Sequence, residues 1–138
     1  MARDKFHYAV RRGLEKQDWK ITHDPLRLEF GADDRLEIDL GAQEMLGAQR
    51  TGEKIAVEIK SFLSDSAMLD FHLALGQFLN YRLALEEIEP DRVLYLAIPL
   101  TAYESFLYRD LPRLAIQKYQ VKLIVYEPQA EVILQWIN

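Results

Sequence analysis

The chain has 138 residues, 49% hydrophobic and 28% charged, with a net charge of −5 and no cysteine. That suffices for a single globular domain spanning residues 1–138, and the missing cysteines exclude disulfides, Cys-zinc sites and thiol catalysis and fit a reducing cytoplasm. No apolar stretch approaches the roughly 18 residues of a membrane span, and the acidic balance at first argues against nucleic acid.

The first residues, Met1-Ala2-Arg3-Asp4-Lys5, are charged and lack the apolar core of a signal peptide. Residues 4–18 predict a helix, with Phe6, Val10 and Leu14 at fourfold spacing and Asp4 as N-cap. Gly13 weakens that helix slightly. Residues 1–20 carry six Lys/Arg against three Asp/Glu, a local excess of +3 inside an acidic chain. Such a patch can hold phosphate or be a solvated helix face. Trp19 to Thr22 leads out of the helix, and His23-Asp24-Pro25 marks a turn.

Leu26, Leu28 and Phe30 alternate with Arg27 and Glu29, predicting a half-buried strand. A turn at Gly31–Asp34 precedes a second strand, in which Leu36, Ile38 and Leu40 alternate with Glu37 and Asp39. A weaker strand surrounds Met45-Leu46-Gly47-Ala48, and Thr51-Gly52-Glu53 reads as a hairpin-like turn. In the next strand Ile55, Val57 and Ile59 share one face, while Ala56, Glu58 and Lys60 share the other. A helix over residues 66–87 starts at a capping Ser66 and ends before Pro90. Val93–Ile98 is a continuous apolar run, as suits a strand covered on both faces. A helical stretch over about 101–118 has a break at Pro112 and holds most of a second basic run, Arg109, Arg113, Lys118 and Lys122, open to the same two readings. Strands Val121–Tyr126 and Glu131–Ile137 close the chain, joined by a turn at Pro128. The order α-β-β-β-α-β-α-β-β predicts an α/β (α+β) architecture, a central mixed sheet with helices on both faces.

Charged residues inside two apolar strands need an explanation. Ionised groups in a buried strand cost several kcal/mol unless they pair or bind a metal. If the strands carrying Asp39 and Glu58 are neighbours in register, the two carboxylates converge and repel unless a cation lies between them. Mg²⁺ (or Mn²⁺) suits such oxygen ligands and keeps waters and phosphate oxygens in its shell; the Ile59 carbonyl is a further candidate ligand. Lys60 would orient an attacking water or neutralise developing charge on phosphate. The plainer alternative is a salt bridge from Lys60 to Asp39 or Glu58 with no chemistry. Gln77 and Tyr81 share one helix face, and the Gln77 amide, set among Leu75, Gly76, Phe78 and Leu79, needs a partner. His7, His23 and His72 form no zinc spacing. His7 lies on the first helix, where it could approach metal or phosphate or be a satisfied imidazole, and Glu15 is a further candidate ligand there. No phosphate-cradling glycine loop and no Gly-x-Ser-x-Gly is present.

Asp39 followed by Glu58-Ile59-Lys60 resembles the PD-(D/E)XK signature of the restriction-endonuclease-like fold, and Gln77 to Tyr81 resembles the Q-x-x-x-Y element of RecB-type nucleases. More closely, Ile21–Pro25, Ile38–Ala42, Lys54–Phe62, Ala74–Glu86, Leu123–Tyr126 and Gln135–Ile137 are similar to the XisH family, known as the fdxN element excision controlling factor. The resemblance covers essentially the whole chain. It implies a restriction-endonuclease-like core and a cyanobacterial role in DNA recombination during heterocyst differentiation, assisting a site-specific recombinase in removing a DNA element. Ile38 stands where that superfamily often has Pro, and its N-terminal glutamate has only Glu15 as a counterpart.

Two functions follow. One is a Mg²⁺-dependent DNA endonuclease or nickase, with Asp39 and Glu58 on metal, Lys60 assisting water, Gln77 orienting the site, and Tyr81, His7, Lys5, Arg11 and Arg12 near phosphate. The other is a non-catalytic factor that binds DNA, the recombinase or a small companion excision factor. A homodimer is a further expectation, because nuclease domains of this size often pair to address both strands.

Overall fold

The computed structural model describes residues 3–47 and 50–138. Its first helix, α1 (His7–Lys16), buries Ala9, Val10, Gly13 and Leu14 on one face. It begins three residues later than the apolar spacing predicts. Asp4 makes the turn before it: its Oδ1 accepts from Phe6 N at 2.9 Å and its carbonyl from His7 N at 3.0 Å. Trp19–His23 is a strand, β1, rather than a lead-out. Five residues with polar side chains at Lys20, Thr22 and His23 gave little apolar signal.

Next come β2 (Leu26–Phe30), β3 (Asp34–Ile38), β4 (Leu40–Gly47) and β5 (Arg50–Ile59). The expected single strand through residues 36–40 is therefore two, divided at Asp39. β3 pairs only with β2, Leu26 opposite Ile38, whereas β4 joins the main sheet with Leu40 opposite Val57. The chain bends at Asp39 as it changes sheets, so Ile38 and Leu40 enter different cores instead of sharing a face. Thr51 and Glu53, expected in a turn, already lie within β5. Ala48, placed in the weaker strand, lies outside the described residues.

The 22-residue α2 (Ala67–Ile88) starts at Ser66, whose Oγ accepts from Leu69 N at 3.1 Å, as a capping serine should. β6 (Arg92–Pro99) follows, then α3 (Leu100–Ser105), α4 (Asp110–Lys118), β7 (Leu123–Glu127) and β8 (Val132–Ile137). The break between the last two helices falls at residues 106–109, not at Pro112. That proline sits in the first turn of α4, where its missing N–H is no loss.

The main sheet runs β1-β4-β5-β6-β7-β8, with β5, β6 and β7 parallel and the outer pairs antiparallel. It is thus a central mixed sheet with helices on both faces. Strand alternation assigns the cores. Ile55, Val57, Ile59, Tyr95 and Ala97 pack with Val10 and Leu14 on the α1 side. Ala56, Leu94, Leu96 and Ile98 pack with Phe71, Phe78, Phe106 and Ala115 on the side of α2, α3 and α4. β6 is covered on both faces, which explains its unbroken apolar run. Among the described residues no helix is long and apolar enough to cross a membrane.

Candidate functional site

The register of β4 on β5 places Asp39 next to Leu40 and opposite Glu58, so both carboxylates leave the sheet on the α2 side at the carboxyl end of β5. In sheets of this kind ligands collect beyond the carboxyl ends of parallel strands. Here that space is an open cleft of about 500 Å³ lined by Asp39, Glu58, Ile59, Lys60, Gln77, Tyr81 and His7, with Arg3, Asp4, Asp24, Pro25, Arg27 and Glu37 completing its wall. Asp39 and the Glu-x-Lys strand end are locked together. Ile59 N donates to Asp39 Oδ2 at 2.7 Å, and Asp39 N donates to Glu58 Oε1 at 3.4 Å. Lys60 N is tied to the Ala97 carbonyl, and the Tyr126 hydroxyl donates to the Lys60 carbonyl at 3.2 Å.

The electrostatics follow from that packing. Burial pushes the Glu58 carboxyl up to about 8, and the Asp39 charge adds to the shift against the opposing pull of Lys60. Burial also raises Asp39, offset in part by the Ile59 N–H. Burial and the mutual repulsion of the two acids therefore favour the pair's keeping a proton at neutral pH. Lys60 Nζ stands 3.5 Å from Glu58 Oε2. Lys60 and a shared proton together balance the two buried carboxylates, so without a further cation the site is neutral only while it keeps that proton. Burial, with both acids adding, holds Tyr81 up to about 12, which keeps its hydroxyl a proton donor.

Gln77 and Tyr81 enter the cleft from consecutive turns of α2, as their spacing of four requires. Gln77 Oε1 is buried without a hydrogen-bond partner. A buried amide oxygen left unpaired costs about 1–3 kcal/mol, and a cation or its bound water supplies the missing partner. Two buried carboxylates that keep a proton only for want of a stronger counter-charge, beside an orphaned oxygen acceptor, fit a hard divalent cation, which would take the proton's place. Among the described residues no three His, Cys, Asp or Glu side chains converge as a complete ligand set. A cation here would draw on Asp39, Glu58, main-chain oxygen at Ile59, and waters or phosphate oxygens, the mode Mg²⁺ favours.

The other wall belongs to Asp24, which the sequence pattern alone places in a turn. Its Oδ1 lies 2.7 Å from His7 Nε2 and 3.1 Å from Arg3, and its Oδ2 accepts from Arg11 at 2.6 Å. Burial raises this carboxyl, but the two guanidiniums and the imidazole outweigh it and hold it below the usual carboxylate range. His7 and Arg11 lie one turn apart on α1, and Arg3 reaches Asp24 from the segment before the helix. His7 Nδ1 remains buried and unpartnered. Of the expected phosphate contacts, Tyr81 and His7 line the cleft, and Arg11 reaches its edge already bound to Asp24. Lys5 is exposed and off the cleft wall, and Arg12 turns away to Glu131 at 2.7 Å. Glu15 pairs loosely with Arg11 at 3.9 Å, outside the cleft.

Comparison with known proteins agrees with this architecture. The profile of the XisH protein family matches residues 1–134. An XisH family protein from Nostoc punctiforme PCC 73102 is 48% identical over 98% of this chain and 100% of its own, with a TM-score of 0.87. An fdxN element excision controlling factor protein from Anabaena variabilis is 51% identical over 99% of this chain and 100% of its own, also at 0.87. A comparison with curated proteins returns no match. On a family match of nearly full length and two solved relatives of about half identity, the chain belongs to the XisH family.

Proposed function

We propose that this protein is a Mg²⁺- or Mn²⁺-dependent deoxyribonuclease of the PD-(D/E)XK type, cutting or nicking DNA in the excision of a DNA element. The family's description as an excision controlling factor supports the process; the site chemistry supports the reaction. One observation carries it: Asp39 and Glu58 converge, buried, in an open cleft with Lys60 3.5 Å from Glu58, and burial together with the Asp39 charge lifts Glu58 to about 8. A bound Mg²⁺ would supply charge stabilisation at the scissile phosphate and a lowered pKa for an attacking water.

The chain's own residues do the rest. Lys60 offers its ammonium to the water or to charge growing on the phosphate oxygens. Tyr81, protonated at any physiological pH, donates to phosphate. Gln77 Oε1 accepts from a water and so fixes its orientation. Arg3 and Arg27 are the rim guanidiniums an incoming backbone would meet, each already paired with an acid, Asp24 at 3.1 Å and Glu37 at 3.0 Å.

The test is cleavage of supercoiled plasmid and of branched or single-stranded DNA with Mg²⁺ or Mn²⁺, with metal binding followed by calorimetry. Expected is cleavage that falls by about 10³-fold or more in Asp39→Ala. No product from any DNA form, together with no metal binding, refutes the proposal. A second reading rests on the incomplete ligand set: a non-catalytic factor that binds DNA, the recombinase or a companion excision factor through the same fold. It expects Asp39→Ala and Lys60→Ala to leave excision intact.

A further inference from the structure

The helix that carries Gln77 and Tyr81 into the cleft turns another face away from the core, and among the described residues nothing covers it. Leu69, Leu73 and Leu83 on it are 55%, 57% and 56% exposed, although their neighbours Phe71, Phe78 and Leu85 are sealed in the core. Between them lies Gly76, exposed and with no atom within 4 Å of where a Cβ would stand. A glycine in the interior of a long helix costs about 1 kcal/mol relative to alanine. Gly13 in α1 has a local reason, since a Cβ there would meet Ile133 at 3.1 Å. Gly76 has no such reason within its own chain.

Its sequence context is symmetric. Leu69 and Leu83 lie seven residues to either side of Gly76, and Leu73 and Leu79 lie three to either side. In an antiparallel two-fold crossing at Gly76, each Leu69 meets the partner's Leu83 at the same height along the axis, and the exposed Leu73 flanks the crossing, while Leu79 packs into its own core. The absent side chain lets the axes approach toward the lower end of the 8–10 Å range for packed helices. Isologous contacts need this self-complementarity, with i facing j and j facing i. The strip is about 33 Å long and about 11 Å wide, so two copies cover on the order of 700 Å² of projected area before the adjacent Leu63 and Tyr119 are counted. That approaches the roughly 1,000 Å² of accessible surface a specific interface requires.

We propose that a second copy of this chain occupies this face, forming a two-fold dimer through antiparallel α2 helices crossing at Gly76. Gln77 directly follows Gly76 in α2, so each copy's cleft lies beside the contact and the dimer carries two clefts tied together by one helix pair. The proposal is independent of cleavage.

The test is sedimentation equilibrium of the full chain at micromolar concentration. Expected is a mass twice the 16.1 kDa of the chain, halved in a Leu69→Glu/Leu83→Glu variant whose circular dichroism is unchanged, because both leucines are exposed. A second variant needs no dissociation. The chain has no cysteine, so Gly76→Cys supplies a unique thiol, expected to give a covalent dimer on oxidation where an exposed control, Ser64→Cys, gives none. A monomer at all concentrations overturns the proposal and leaves the face to another protein or to DNA. A dimer that survives the double substitution, or fails to cross-link through position 76, places the contact elsewhere and equally overturns it.

Discussion

Asp24 and Glu58 line the same cleft, yet their surroundings drive them in opposite directions. Asp24 is held by Arg3, Arg11 and His7 and lies below the usual carboxylate range. Glu58 has a second carboxylate on one side and a single lysine at 3.5 Å on the other, and rises to about 8. Burial acts on both. What separates them is whether the chain itself provides the counter-charge. Asp24 is complete as folded and organises the N-terminal helix against the cleft wall. The Asp39 and Glu58 pair is complete only with a proton or a cation, and that unmet demand distinguishes a binding site from a structural ion pair.

The largest effect of this difference should come from Glu58→Gln in metal-free protein. Glu58 has a folded pKa of about 8 against an ordinary value of 4.5, so between those pH values the folded state holds a proton the unfolded state has lost. Stability then falls as pH rises through that window, and the full penalty is present above pH 8. Glu58→Gln removes it. Chemical denaturation should find the variant more stable than wild type by a few kcal/mol at pH 9 and nearly equal to it at pH 4. Saturating Mg²⁺ should erase most of the wild-type deficit. A gain that is the same at both pH values would mean Glu58 is not the strained group.

Asp24→Asn should do the reverse. With a folded pKa below 3.8, Asp24 contributes stability that is present above pH 4 and lost as pH falls through its depressed value. Asparagine keeps the shape and removes the charge that Arg3, Arg11 and His7 share. A loss of stability at pH 7 is expected that shrinks as pH falls through the depressed pKa of Asp24. Equal stability at pH 7 would make the cluster a surface ornament and the contrast with Glu58 empty.

The two sites also differed in how far the sequence disclosed them. Asp39, Glu58 and Lys60 stood out because each interrupts an apolar strand, and strand periodicity put Glu58 opposite the row of Ile55, Val57 and Ile59. The helix carrying Gln77 and Tyr81 was equally plain. Asp24 is hidden because it lies in a polar turn where a charge needs no explanation; only its basic partners, His7 and Arg11 on α1 and Arg3 just before it, betray it. The division of residues 34–47 into two strands was hidden too. Alternation runs smoothly from Leu36 to Leu40, and it is a change of pairing partner at Asp39, a tertiary event, that breaks the strand and aims the carboxylate. β1 was missed for a related reason: it is a short edge strand whose hydrogen bonds to β4, not its side chains, make it a strand.

The smallest effect separates a ligand-seeking site from imperfect packing. Gln77 Oε1 is buried and unpaired, so the side chain lowers the stability of the metal-free protein whichever role it has. Gln77→Leu keeps the volume and removes the unpaired acceptor, and should stabilise metal-free protein by about 1 kcal/mol. Packing alone predicts nothing further. A role toward a bound cation or its water predicts that the same substitution weakens Mg²⁺ or Mn²⁺ binding by about tenfold in calorimetry, as loss of an outer-sphere partner does. Stabilisation with unchanged metal affinity would assign Gln77 to the core and leave Asp39, Glu58 and Lys60 to account for the cleft alone.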